Sequence, residues 1–461
     1  MTATRPGPTA AATLATPGGH DPAGAGTVAR PRPRLRGLDG LRFFAAFSVL
    51  LYHFAAFDNY STAVWGEPVE EVTGAVGVWF GYGALAPSLF FVISGFVILM
   101  SAQGRGWRRF VASRVARLYP GYWVAVLATS ALLLVLWNPG RAPSGPQVLA
   151  NLTMFQKPLG YSHVDGVYWT LWVEMKFYLL MVVFLLVGIT TRRVLAVALA
   201  WPLIAWAFAL AEVPHVWDWL IYRHAPFFAG GMVIYLIHRH GHTWGRWAVL
   251  LVNVGLALIH GVPGLSDQVS QRTPYELNPV LLGTLTLGCF AAVAALSWTR
   301  LQFLQWRWLT VIGALTYPLY LIHQYWGWWV ISLLSDHVPA AVCVVAATAA
   351  SIVLAWILHK GVEVPLGPRL RDATSRLLHG RLLGGREARE ARDAQAAQDA
   401  RAGVDPPAEV DPHAEVDPPA EVERAEVAPH AEVERAEVDA SGRSRGHQPS
   451  TSTTTVDLGE R

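Results

Sequence analysis

The sequence predicts an all-α fold, a polytopic bundle of membrane-spanning helices. Three observations predict it. The 461 residues are 53% hydrophobic and only 15% charged, too apolar and too charge-poor for an ordinary water-soluble chain of this length. About ten separate stretches approach the roughly 20 apolar residues that a helix needs to cross the hydrocarbon core. Arginines collect in every second connection between those stretches. The 20 tryptophans fit the same setting, because Trp favours the membrane–water interface. A net charge of +3 gives no reason to expect a nucleic-acid partner.

The elements follow in order. Residues 1–33 are rich in Ala, Pro, Gly and Thr and hold no apolar core of signal-peptide length. They read as a disordered cytoplasmic leader, with the first apolar stretch as an uncleaved anchor. The candidate spans are 38–57, 84–101, 118–137, 168–188, 194–211, 221–238, 247–262, 279–297, 308–334 and 339–358. The stretch 221–238 is the weakest, opening on "IYRHAP", and 308–334 is interrupted by Pro318. Residues 72–83 carry too many glycines for a span and read as a re-entrant or interfacial segment. Arg30, Arg32, Arg34 and Arg36 precede the first span, and Arg105, Arg108, Arg109, Arg114 and Arg117 lie between the second and third. Later basic pairs keep the same phase, whereas the alternate loops hold only Arg141, Lys157 and Arg272. The asymmetry puts both termini in the cytoplasm with an even number of spans. The membrane domain is expected over 34–372. Residues 373–461, with their repeated Ala-Glu-Val units, are expected to be a mostly disordered cytoplasmic tail, because such a composition cannot bury a core.

Ionisable residues inside spans are functional candidates by default, because lipid makes them expensive. "LDGLRFFAAFSVLLYHF" carries Arg42 and His53. Eleven residues make close to three helical turns, so both share one face, about 16 Å apart along the axis. Arg42 then lies near the cytoplasmic surface, where snorkelling is the plain alternative, and His53 in the outer half. "VYWTLWVEMKFYLL" brings Glu174 to a comparable depth from the other side. A carboxylate beside an imidazole suits general acid–base work; the competing Glu174–Lys176 ion pair is weakened because residues two apart do not share a helix face. In "LTYPLYLIHQYW", Tyr317, Tyr320 and His323 form a polar stripe that lines a cavity or packs with hydrogen-bonded tips. The arginines of "RGWRRFVASRVARLYPGYW" grip phosphates or answer to topology and anionic lipid. Cys289 and Cys343 sit in apolar runs, and no spacing suggests a metal site. From these residues two classes stay open. One is a membrane enzyme with a phosphate-bearing cytosolic donor. The other is a proton-coupled exporter or flippase of a glycan or lipid-linked precursor.

"RLRGLDGLRFFAAFSVLLYHF", "PSLFFVISGFVI", "FVASRVARLYPGYW", "YWTLWVEMKFYLL", "APFFAGGMVIY", "ALTYPLYLIH" and "GVEVPLGPRLR" occur in the order in which similar motifs occur in the membrane acyltransferase 3 family. The resemblance runs from about residue 34 to 372. It departs at Thr170, where Ser is usual, and at Met175-Lys176, which replace a more acidic-polar pair. The resemblance implies O-acyl transfer from acyl-CoA, acetyl-CoA in the first instance, to a hydroxyl of a sugar-containing acceptor in a bacterial plasma membrane. It implies no tightly bound cofactor and no metal. On that reading His53 is the general base and Glu174 orients or charges it. Arg42, Arg114 and Arg117 hold the donor phosphates. Trp169, Tyr317, Tyr320 and His323 line the acceptor cavity. Acceptor identity, acyl length, direct transfer against a covalent acyl-enzyme, and oligomeric state stay open.

Overall fold

The computed structural model describes residues 35–379 and 393–397, so the expected leader and most of the expected tail lie outside the described residues. Every described regular element is a helix. Eleven long ones matter here: α1 (Arg36–Ala55), α2 (Ala86–Ala102), α3 (Trp107–Ala131), α4 (Trp169–Val187), α5 (Thr191–Leu210), α6 (Ala225–His240), α7 (Trp244–Leu256), α8 (Pro279–Trp298), α9 (Arg307–Leu334), α10 (Ala340–Leu358) and α11 (Val364–His379). The described residues belong to the first of two units into which the chain divides, residues 1–406. α11 runs past the boundary expected at residue 372.

Eight runs among the described residues are long and apolar enough to cross a membrane. They contain α1, α2, α3, α4, α5, α7, α8 and α10. The other two expected spans, α6 and α9, exist as helices but fall outside that set. α6 has only 16 residues, fewer than a lipid-facing span usually has, and is buried from Ala225 to Ile237. α9 has 28 residues and stays helical through Pro318, but its Tyr, Trp, His and Gln residues make it less apolar. Burial inside protein, and not lipid, is what permits both sequences.

The sequence placed the Arg108–Arg117 cluster in a loop ahead of a span at 118. Instead α3 begins at Trp107, and Arg108, Arg109, Arg114 and Arg117 stand on its first turns. Three helices extend through π-type turns, Leu132–Leu136 after α3, Ala257–Gly261 after α7 and His359–Glu363 after α10. The glycine-rich stretch at 72–83 forms short helical turns that lead straight into α2.

α1 and α9 lie side by side and run in the same direction, with Asp39 beside Gly313 and Phe54 beside Gly327. At one end Arg36 donates to the Gln305 carbonyl at 2.9 Å, Tyr235 donates to Gln103 at 2.7 Å, and the His238 ring donates to the Ser297 carbonyl at 2.7 Å. This is the arginine-rich end. At the opposite end the Asp58 N–H meets the Arg272 carbonyl at 2.8 Å, and the Asn278 N–H meets the Tyr82 hydroxyl at 2.9 Å. α2 and α6 form the centre. They cross backbone against backbone, since a Cβ on Gly95 would strike the Phe228 carbonyl and one on Gly231 the Val92 carbonyl. Small residues at such crossings substitute packing for the hydrophobic drive that lipid removes.

Candidate active site

One uninterrupted helix, α1, carries both Arg42 and His53, and they serve two different polar clusters. The first is a cavity of about 90 Å³. Its charged walls are Arg42 from α1, Arg114 and Arg117 from α3 and Glu174 from α4, with Ser94, Tyr178, Tyr317 and Tyr320 beside them. Glu174 Oε1 accepts from the Ser94 hydroxyl at 3.1 Å and from the Tyr178 hydroxyl at 2.9 Å. Arg42 lies 3.8 Å from Asp39, with Glu174 and Arg117 also within electrostatic reach. The Arg114 guanidinium rests over the Phe110 and Tyr178 rings, 5.5 and 5.8 Å from their centres. Three cations against Glu174 and Asp39 leave one surplus positive charge at the cavity, which suits an anion.

The second cluster is a pair of imidazoles. His53 Nδ1 lies 3.0 Å from His323 Nε2. His323 Nδ1 lies 2.9 Å from the Tyr320 carbonyl and 3.2 Å from the Leu319 carbonyl. Carbonyls only accept, so His323 carries its proton on Nδ1, and its Nε2 offers a lone pair. His53 must therefore donate from Nδ1, and the Val49 carbonyl is also within reach of its ring. The proton-free nitrogen of His53 is then Nε2, the atom that a general base needs. The Trp328 indole donates to the His53 carbonyl at 2.8 Å and fixes the end of α1 against α9. His323 is fully buried, whereas His53 keeps partial exposure.

The expected His53–Glu174 pair is thus replaced by His53–His323. The two residues were read at comparable depth, but their helices are not neighbours. α1 packs on α2 and α9, while α4 packs on α2 and α3, so α2 stands between them and its Ser94 takes Glu174. His323, expected in the acceptor cavity, is instead the hydrogen-bond partner of His53. Tyr317 and Tyr320 do line the cavity. Tyr317 donates to the Leu118 carbonyl at 2.8 Å; the Tyr320 hydroxyl accepts from Thr170 at 2.8 Å and donates to the Val167 carbonyl at 3.1 Å. The departure from Ser to Thr at position 170 therefore keeps the hydroxyl in use. Trp169 faces away from the cavity, behind Phe91, where its ring meets His224 at 5.3 Å. Lys176 does not pair with Glu174; its ammonium lies 2.7 Å from both the carbonyl and the carboxylate of Asp218, between the Trp172 and Trp219 rings. The sequence reading missed Ser94 and Tyr178 as partners of Glu174. Tyr178 was findable, four residues along the same helix face. Ser94 was not, because it comes from another helix. Just before α4, Asp165 is fully buried, and burial pushes its carboxyl up to about 7. Among the described residues no three His, Cys, Asp or Glu side chains are grouped to hold a metal ion.

The profile of the acyltransferase 3 family, described as an acyltransferase domain, matches residues 35–360. The chain belongs to this family. It is similar to acyltransferase MdmB of Streptomyces mycarofaciens, 30% identical over 158 residues, 32% of this chain and 38% of that protein. It is also similar to the Bacillus subtilis (strain 168) protein named "Putative peptidoglycan O-acetyltransferase YrhL", 28% identical over 172 residues, 33% of this chain and 24% of that protein. The matched region spans well under half the length of either relative. No solved structure matches the chain. The match covers every member of both clusters, from Arg42 to His323, inside one acyltransferase domain.

Proposed function

We propose that the protein is an integral membrane O-acyltransferase, moving an acyl group from acyl-CoA to a hydroxyl of a carbohydrate-containing acceptor. The observation that carries this reading is the imidazole pair whose hydrogen bonds leave His53 Nε2 free of its proton, on the same helix as the arginine-walled cavity. The family supplies the reaction class. The relative named as a peptidoglycan O-acetyltransferase supports a carbohydrate acceptor.

The arginine-rich end faces the cytoplasm in this reading, with both termini there and ten spans in a bacterial plasma membrane. Arg114 and Arg117, with Arg42, grip the donor's phosphates. A cavity of about 90 Å³ holds only a few waters. Donor binding therefore widens it, with the long arginine side chains swinging aside. Glu174 balances Arg42 and is fixed by Ser94 and Tyr178. Tyr317 and Tyr320 form the wall towards the histidine pair; the Tyr320 and His323 rings stand 5.7 Å apart. In the transfer step His53 Nε2 takes the acceptor's hydroxyl proton as the oxygen attacks the thioester carbon. The C–O bond forms, the C–S bond breaks, and the departing sulfur receives the proton from His53. His323 accepts the His53 Nδ1–H throughout and stabilises the imidazolium.

The test is acyl transfer from labelled acetyl-CoA in membranes carrying His53→Ala. The expected loss is about 10²- to 10⁴-fold, the usual contribution of a general base. Wild-type activity at wild-type expression would sink the assignment. Substrate movement across the membrane with no change in its mass would replace the enzyme reading by transport.

A further inference from the structure

A small polar recess lies at the opposite end of the bundle, on the far side of α2 from the histidine pair. Its lining includes Ser88, Trp169, Arg223, His224 and Gln268, drawn from four separate elements. Pro87 lines both this recess and the arginine-walled cavity. Phe91, a cavity residue, sets its ring at a tilt against His224 at 5.0 Å and meets Trp169 at 6.2 Å. One layer of side chains separates the two spaces.

The recess has the composition of a sugar site, with an indole face, a guanidinium, an imidazole, an amide and a hydroxyl on an otherwise apolar wall. The Arg223 side chain is exposed, and its Nε donates to the Tyr222 hydroxyl at 2.8 Å. The Tyr222 ring leads to His260, 5.6 Å away, which stacks on Trp206 from its other side. Both ring nitrogens of His260 are buried and bond to nothing among the described residues. Buried polar atoms are normally satisfied, so the two open ring nitrogens of His260, whose neighbour Gly261 lines the recess, leave polar positions next to it for a hydroxyl or a water. His260 also sits in the π-type turn Ala257–Gly261, and such turns gather at functional sites. Two residues before Arg223, Ile221 has φ 49°, a left-handed conformation that a β-branched side chain rarely adopts. The chain bends sharply there to present Arg223 and His224 to the recess.

The geometry points to a glycoside-binding site in this recess, which anchors a non-reacting edge of the acceptor while another of its hydroxyls reaches His53. The inference rests on the acyl-transfer reading above. A volume of about 30 Å³ admits a hydroxyl or hydroxymethyl group and no whole ring. The sugar therefore docks by one edge. Arg223 and Gln268 supply its hydrogen bonds, and Phe91 forms the partition beyond.

The test uses the full chain in lipid nanodiscs. The probes are methyl glycosides of glucose, galactose, N-acetylglucosamine and glucuronic acid, followed by saturation-transfer NMR. At least one probe is expected to bind. Arg223→Gln and Gln268→Ala each weaken it about tenfold, as loss of a hydrogen bond to a charged or buried polar group does. His260→Phe, which keeps the ring stack, weakens it too. Arg117→Gln leaves it unchanged. Absence of binding by every probe, or a probe indifferent to Arg223→Gln and Gln268→Ala, overturns the inference. Acyl-CoA turnover is measured on the same samples. Turnover with indifferent glycoside binding removes only the recess; glycoside binding without any turnover removes only the transfer reading.

Discussion

Around Glu174 the bundle gathers full charges, with Arg42, Arg114 and Arg117 on the same cavity wall. Around His53 the only such charge is Arg272, within electrostatic reach among the described residues but not bonded to the ring; His323, the Val49 carbonyl, Trp328 and aromatic rings surround it. Both clusters sit among apolar helices where an unpaired charge is costly. The cavity meets that cost by compensation, setting one carboxylate against several guanidiniums and two hydroxyl donors. The histidine pair meets it by neutrality, since two uncharged rings ending on backbone carbonyls need no counter-ion. The difference teaches what each can do. A surplus of fixed positive charge binds an anion. A neutral ring with a defined lone pair moves a proton.

Variants of the two clusters should therefore fail in different ways. The largest effect after His53→Ala belongs to His323→Phe. It keeps the ring volume but removes the acceptor that holds the His53 Nδ1 proton. Turnover should fall about a hundredfold, near the lower end of what a general base supplies, with donor KM unchanged. A shift confined to donor KM would dissolve the distinction between the clusters.

Arg114→Gln combined with Arg117→Gln should do the reverse. Each charge-assisted hydrogen bond is worth about 1.5–3 kcal/mol, so donor KM should rise at least tenfold while turnover at saturation holds. Steady-state kinetics across a range of acetyl-CoA concentrations separates the two. Equal losses in turnover would place these arginines at the reacting atoms instead.

The smallest effect concerns stability. Asp165 titrates near 7 in the fold because burial disfavours its charge, against about 3.9 in an unfolded chain. The folded state then holds a proton that the unfolded state releases between those values, so this residue's contribution is best at low pH and declines as pH rises through 7. Asp165→Asn keeps an oxygen for the Val167 N–H and should raise the thermal midpoint at pH 8 but not at pH 4. Melting curves in detergent at the two pH values decide it. An equal shift at both would show that charge burial is not the cause.

Much of the site was legible in one dimension. The spacing of Arg42 and His53 fixed both on α1, and the stripe of Tyr317, Tyr320 and His323 fell on one continuous helix. What failed was lateral. Depth along a helix follows from counting residues at about 1.5 Å each; which helix stands beside which does not. Glu174 and His53 were matched by depth alone, yet α2 intervenes. Trp169, one residue before Thr170, turns to the other side of Phe91.

The sequence by itself determined that this chain is a helical membrane bundle, where its long helices lie apart from the early start of α3 at Trp107, which end carries the arginines, and which family it resembles. Composition, periodicity and motif order are local or additive properties, and they survive without a fold. Only the tertiary structure decided that His53 meets His323, that Ser94 and Tyr178 hold Glu174, and that α6 and α9 are shielded by their neighbours. Those outcomes depend on contacts between residues up to 275 positions apart. Helix packing sets such contacts, through close crossings like Gly95 with Gly231, and no local pattern encodes them.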